Sequence, residues 1–115
     1  MEERRSYKRV YFNNNIRCNI LDDGFVTDTI SNSINISGGG IGLNPDTRLS
    51  RQQPVSLEIM VPGYNKSIFA RGEVMWTDPH MVNHHTKAGI KFTKIDSYDR
   101  QMILDYVHFG FNNEN

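Results

Sequence analysis

The sequence has no excess of charge, because its 13 basic side chains balance its 13 acidic ones. Binding to nucleic acid or to an anionic membrane grows with the number of cations that a protein presents. A neutral chain of 115 residues is therefore a poor partner for either surface. We expect no nucleic-acid partner, and any site for an anion must be local.

Cysteine and long apolar runs are also nearly absent. Cys18 is the single cysteine, which excludes an internal disulfide and a zinc cage built from cysteines alone. No apolar run reaches the length of a membrane span. The first five residues, MEERR, lack the apolar stretch of a signal peptide. We expect a cytoplasmic protein without membrane insertion.

Alternation of apolar and polar residues predicts about six short strands. The clearest pattern is Val55, Leu57, Ile59 and Val61, which alternate with mostly polar neighbours. The same period marks five other segments, at 16–20, 26–37, 41–44, 68–76 and 88–92. Asp78-Pro79 is predicted to end the strand that contains Trp76.

The period changes to that of an amphipathic helix near the C-terminus. Asp96 or Ser97 can cap the start of this helix, and Gly110 stands where it should end. The apolar positions of the helical pattern are Tyr98, Met102, Tyr106 and Phe109, with Ile103 and Val107 alongside.

These patterns predict a mainly β protein with a single domain over residues 1–115. Residues 1–10 form a flexible N-terminal arm, residues 15–93 a six-stranded antiparallel β-barrel, and residues 96–110 a C-terminal α-helix. A closed barrel removes the exposed edges that short strands otherwise leave.

The arm contains the first group of candidate site residues, RRSYKR, from Arg4 to Arg9. Guanidinium groups match phosphate oxygens and stack on aromatic rings. In an extended chain Arg5 and Arg9 lie roughly 13 Å apart, so the arm must bend to hold one small ligand. A solvated basic arm is the alternative that this cluster leaves open.

The second group is INISGGGIGL, Ile34 to Leu43, in which three glycines interrupt a strand pattern. Alternation places Asn35 and Ser37 on one side of the strand and Ile36 in the core. An amide and a hydroxyl can read the polar edge of a flat ring. The glycines are predicted to leave amide groups uncovered for close approach, although a glycine-rich barrel corner explains them equally well.

Together the two groups resemble the PilZ domain family. That family carries an Arg-x-x-x-Arg motif in an N-terminal loop and an Asp/Asn-x-Ser-x-x-Gly motif on a following strand. Here the motifs read Arg5 to Arg9 and Asn35 to Gly40. The segments GEVMW (72–76) and AGIKF (88–92) resemble later strands of the family, so the resemblance covers nearly the whole chain.

The resemblance implies a receptor for cyclic di-GMP, a bacterial second messenger with two phosphates and two guanines. Arginine at the position of Arg4 implies that the ligand binds as an intercalated dimer. No other cofactor is expected, and the regulated partner is an unidentified effector protein. The implied ligand-binding residues are Arg4, Arg5, Arg9, Asn35, Ser37, Gly39, Gly40 and Trp76.

Three other features have two interpretations each. Trp76 shares its parity with Val74, which favours the core, whereas the resemblance implies a ligand contact. His80 and the pair His84-His85 fit a solvated loop over 79–86 better than a metal site, because adjacent strand residues point to opposite faces. Cys18 alternates with apolar residues and is predicted to be a buried side chain.

Two other functions remain open. A domain of this kind can be a nucleotide-independent adaptor that works through protein contacts. A small barrel can also bind single-stranded nucleic acid if it presents aromatic platforms along a basic groove. Two intact motifs and the zero net charge favour the receptor. An enzyme is least favoured, because the sequence offers no nucleophile–base pair and no metal set.

Overall fold

The computed structural model describes residues 9–12, 15–22, 25–45, 49–64, 66–82 and 85–110. Helix α1 covers Ser97–Asp105 and continues as a π-helical turn over Tyr106–Gly110. The strands in these ranges are β1 (Arg9–Tyr11), β2 (Asn15–Asp22), β3 (Phe25–Ser37), β4 (Gly40–Asn44), β5 (Pro54–Met60), β6 (Ser67–Val82) and β7 (His85–Ile95).

Six of the strands close into an antiparallel barrel in the order β3-β2-β5-β6-β7-β4, and β4 returns to β3. Strand β1 lies outside this ring and pairs with the end of β3. The predicted six-stranded barrel with a C-terminal helix is confirmed, with one additional strand. No helical segment in the described part of the chain has the length and apolar character needed to cross a bilayer.

The barrel interior is filled by the side chains that the alternation identified. Cys18, Val55, Ile59 and Ile68 are completely buried, and Leu57 is 1% exposed. Burying one such aliphatic side chain contributes roughly 1.5–3 kcal/mol. Cys18 is thus a core residue, as predicted.

Strand β3 has an irregularity that the alternation did not predict. Its register with β4 shifts between Ser33 and Asn35. Before this β-bulge Ser31 and Ser33 face inward, and after it Ile36 does. A bulge inserts one residue and so exchanges the two faces of a strand. The predicted long strand is confirmed, but Ser31 and Ser33 take the inward positions before the bulge, and Ile34 is only half-buried.

Strand β6 continues past Asp78-Pro79 to Val82, so the predicted strand end is wrong. The register with β7 is irregular between Asp78 and Val82. Proline cannot donate to a ladder hydrogen bond, and strands therefore accommodate it at such irregularities. The predicted loop over 79–86 is correspondingly shorter.

The helix begins where the sequence predicts, and its buried face differs from the predicted one. The Asp96 carboxylate accepts a hydrogen bond of 2.8 Å from the backbone N–H of Tyr98, which makes Asp96 the N-cap. Ile103 and Val107 are buried against the barrel, whereas Tyr98 and Phe109 are exposed. The residues alongside the apolar pattern, Ile103 and Val107, therefore pack against the barrel, whereas its first and last positions do not.

The predicted flexible arm is too long at its C-terminal end. Val10 and Phe12 are 6% and 2% exposed, and the Phe12 ring meets Tyr106 edge-on at 5.5 Å. The buried Ser33 hydroxyl also donates a hydrogen bond of 2.6 Å to the carbonyl of Phe12. Residues 9–12 therefore belong to the folded domain, and residues 1–8 of the predicted arm lie outside the described residues.

Candidate ligand-binding face

Pairing of β1 with β3 brings the two sequence motifs together. Arg9 lies opposite Ser37, and Tyr11 lies opposite Asn35. Side chains at directly opposite positions of antiparallel strands start about 4.5–5.5 Å apart. The second arginine of the first motif is thus a direct neighbour of the second motif. Arg4 and Arg5, the other two predicted arginines, lie outside the described residues.

A row of cross-strand partners runs from Tyr11 over the outer barrel wall. Asn35 pairs with Gly42, Gly42 with Gly89, and Gly89 with Trp76. We call these five residues the glycine row. Adjacent strands are about 4.8 Å apart, so the row spans at most about 19 Å. Two neighbouring positions in its middle have no side chain, and its ends are exposed aromatic rings.

Trp76 is an outward-facing side chain, so the interpretation as a core residue is wrong. Val74 is fully buried, whereas Met75 and Trp76 are 47% and 45% exposed. The register between β6 and β7 shifts between Val74 and Trp76, which marks a β-bulge. The extra residue reverses the parity of the strand and directs the indole to the outer surface.

The Ser37 hydroxyl is used inside the turn that joins β3 to β4. It accepts a hydrogen bond of 3.1 Å from the Gly39 N–H and lies 3.5 Å from the Gly40 carbonyl as a donor. The Gly39 carbonyl accepts from the Phe92 N–H at 2.9 Å. The expectation that the glycines leave their amides uncovered is therefore wrong for Gly39. Ser37, at 6% exposure, shapes this turn.

The packing of the barrel requires glycine at position 40, whether or not a ligand binds there. A Cβ atom at this position would lie 2.2 Å from the backbone oxygen of Ile90 and 3.4 Å from the Cα of Lys91. The absence of a side chain allows β4 to approach β7 at this end of the barrel. The close approach predicted for the glycines is present here, and it is made by the protein's own backbone.

Two exposed residues of this face were missed in the sequence. Tyr11 is 68% exposed at one end of the glycine row. Lys91 on β7 is exposed and pairs with Gly40, the partner of Ser37, which adds a cation to the row of cross-strand partners that begins at Arg9. The inward alternation of Ala88, Ile90 and Phe92 already implied that Lys91 points outward. Tyr11 had no comparable signal, because β1 has only three residues.

The remaining candidates do not extend this face. His84 lies outside the described residues, as do the side chains of His80 and His85. Among the described residues there is no group of three metal-ligating side chains. A cavity of about 420 Å³ lies between α1 and the turn after β5 and contains none of the predicted site residues. Its lining is Tyr64, Lys66, Asp96, Tyr98, Asp99, Gln101, Met102 and Asp105.

The geometry agrees with a comparison of the sequence with known families. A model of the PilZ domain matches residues 3–109, which is most of the chain. The chain belongs to the PilZ domain family. No curated protein matches this PilZ chain significantly in sequence.

Solved structures have the same PilZ fold at low sequence identity. The inhibitor of motility MotI/DgrA of Bacillus subtilis is 20% identical with a TM-score of 0.77, over 99% of this chain and 54% of its own. The PilZ domain of YcgR from Escherichia coli, solved with c-di-GMP, is 13% identical with a TM-score of 0.67, over 98% and 100%. The MrkH–c-di-GMP complex of K. pneumonia is 17% identical with a TM-score of 0.69, over 98% and 57%. The chain thus spans about half the length of MotI/DgrA and MrkH.

Proposed function

We propose that this protein is a receptor for cyclic di-GMP that changes its surface on binding and thereby regulates a partner protein. The observation that carries the proposal is the pairing of Arg9 with Ser37 and of Tyr11 with Asn35. This pairing places a guanidinium, an amide and an aromatic ring side by side on one outer face. Membership of the PilZ family supports the proposal, as do the c-di-GMP complexes of YcgR and MrkH.

The chemistry of the face fits both parts of the ligand. Arg9, with Arg5 from the adjoining segment, pairs with phosphate oxygens and stacks on guanine. Lys91 adds a positive charge on the same side of the barrel. The Asn35 amide offers a donor and an acceptor to a guanine edge, and Trp76 offers a ring surface for a base. The binding itself involves no reaction catalysed by the protein.

Segment 1–8 connects binding with regulation in this proposal. Arg5 precedes Arg9 by four residues, so a ligand held by both arginines draws the segment onto the barrel. The surface presented to a partner then differs between the free and the bound protein. MotI/DgrA is an inhibitor of motility, and MrkH is a transcription regulatory factor. The fold alone therefore does not identify the partner.

Isothermal titration calorimetry with cyclic di-GMP tests the receptor function directly. We expect a micromolar Kd, corresponding to a binding free energy of about 8 kcal/mol. GMP at the same concentration serves as the control and should bind at least about tenfold more weakly, because it cannot span two phosphate contacts. A folded protein that produces no heat with cyclic di-GMP would instead be the nucleotide-independent adaptor. Tighter binding of a single-stranded oligonucleotide would favour the nucleic-acid function.

The stoichiometry depends on Arg4 in this proposal. Two stacked ligands bring four phosphates together, and nearby cations must offset their repulsion. We expect two molecules of cyclic di-GMP per wild-type chain and a shift toward one in Arg4→Leu, with the fold unchanged. Added salt should weaken the two-to-one complex, since the effect is electrostatic. One ligand per wild-type chain at millimolar ligand concentration would leave Arg4 as an ordinary surface charge.

A further inference from the structure

The indole of Trp76 lies directly on the backbone of Gly89. A Cβ atom built on Gly89 would lie 2.2 Å from the indole Nε1, 2.4 Å from Cε2 and 2.9 Å from Cδ1. Carbon atoms in proteins do not approach ring atoms this closely, because the contact optimum lies near 3.5–4.0 Å. Among the twenty residue types only glycine leaves the space that this ring position occupies.

The neighbouring strand repeats this arrangement. A Cβ atom on Gly42 would lie 3.0 Å from the Oδ1 of Asn35 and 3.4 Å from its Nδ2. Gly42 and Gly89 are direct cross-strand partners. The two adjacent glycines therefore carry an amide group and an indole ring that lie side by side on the outer wall, at the spacing of neighbouring strands.

The indole has one face toward the wall and remains 45% exposed. An aromatic ring fixed in this way can receive a second flat ring on its outer face without losing side-chain freedom on binding. The Asn35 amide beside the indole then meets the polar edge of this second ring. A freely rotating tryptophan would have to lose rotamer entropy first.

We infer that Gly89 is a positioning residue, which holds the Trp76 indole flat so that a guanine base stacks on it beside Asn35. The ligand part of this inference rests on the proposed function. The position of the ring in the free protein does not, and it can be measured separately. Trp76 is the single tryptophan, so its fluorescence reports this ring alone.

Gly89→Ala is the test variant. Without ligand, we expect a red shift of the Trp76 emission and stronger quenching by iodide, because the added methyl group pushes the indole off the wall. Base–aromatic stacking contributes about 1–3 kcal/mol, so Trp76→Ala should weaken cyclic di-GMP binding at least about fivefold. Gly89→Ala should weaken it to a similar extent.

Two further variants separate positioning from general damage. The double variant Gly89→Ala/Trp76→Ala should bind cyclic di-GMP within about twofold of Trp76→Ala alone. It should also be no less stable than Trp76→Ala, since the ring that obstructs the added methyl group is gone. Gly63→Ala is the control, because Gly63 has a φ of 93° but nothing within 4 Å of an added Cβ. It should lower stability and leave Trp76 emission and ligand affinity unchanged.

The outcomes distinguish this inference from the proposed function. Unchanged emission and quenching in Gly89→Ala would overturn the inference, and so would affinity losses that simply add in the double variant. If Gly89→Ala does not fold, rescue by Trp76→Ala supports the inference and absence of rescue overturns it. A shifted emission together with no cyclic di-GMP binding by the wild type would support the ring position and overturn the receptor function.

Discussion

Gly40→Val is expected to lower the free energy of unfolding by at least about 2 kcal/mol, with a fall in Tm of roughly 6 °C or more. The added Cβ would lie 2.2 Å from the Ile90 oxygen and 3.3 Å from its carbonyl carbon. Both atoms belong to the backbone, so no change of rotamer relieves the clash. Strand β4 must move away from β7, which opens the barrel beside the buried Ile41.

Ser37→Ala is the matched control in the same turn. It removes the hydroxyl that bonds to the Gly39 N–H, and we expect a loss of about 0.5–1.5 kcal/mol. Thermal unfolding followed by circular dichroism compares the two variants. A Gly40→Val protein as stable as Ser37→Ala would contradict the close packing of β4 on β7. If Gly40→Val is destabilised as expected, its loss of ligand binding would reflect the fold and not a blocked ligand.

Removing the arginines of the first motif is expected to have the largest effect on ligand binding. Arg5→Ala and Arg9→Ala should each weaken cyclic di-GMP binding at least about tenfold, or about 1.4 kcal/mol. Each variant loses a charge-assisted phosphate contact and a stacking plane. The double variant should lose about a hundredfold or more if the two contacts are independent. Tm should change little, because Arg9 is exposed on the outermost strand.

Arg17→Ala is the control for the loss of one positive charge. Arg17 lies on β2, outside the glycine row, where its side chain is 55% exposed and 3.9 Å from Glu58. Exposed ion pairs of this kind contribute about 0–1 kcal/mol, so its stability should stay close to that of the wild type. Calorimetry should find its ligand affinity unchanged. Wild-type affinity in both Arg5→Ala and Arg9→Ala would place the binding site elsewhere.

Most of the fold follows from side-chain periodicity. Strands β2, β5 and β7 each bury one face, so their alternation is complete and both type and position could be predicted. Strand β1 was missed, because a three-residue strand contains only one inward position, Val10. The bulges in β3 and β6 have no local signal. They depend on the register with a partner strand, and the predictions that Ile34 and Trp76 face the core were wrong for this reason.

The motif residues were predictable, whereas their surroundings were not. Asn35 and Arg9 stand in recognisable patterns, so both could be assigned to a site before the fold was known. Tyr11, Gly42 and Gly89 come to the same face only through cross-strand pairing. Gly40 could not be assigned a single role for a related reason. A glycine that approaches a ligand and one that approaches another strand look alike in a sequence.

The contact between Phe12 and Tyr106 has a consequence for affinity. Fixing the backbone of one residue costs about 1–2 kcal/mol of conformational entropy. Because Val10 and Phe12 are buried, folding already fixes the backbone of Arg9 and Tyr11 before any ligand binds. Under the proposed function, a ligand that uses Arg9 therefore meets a strand that is already ordered. Its apparent Kd depends on the fraction of molecules in which β1 is docked. The helical segment near the other end of the chain thus acts as a thermodynamic support of β1, the strand that carries Arg9 and Tyr11.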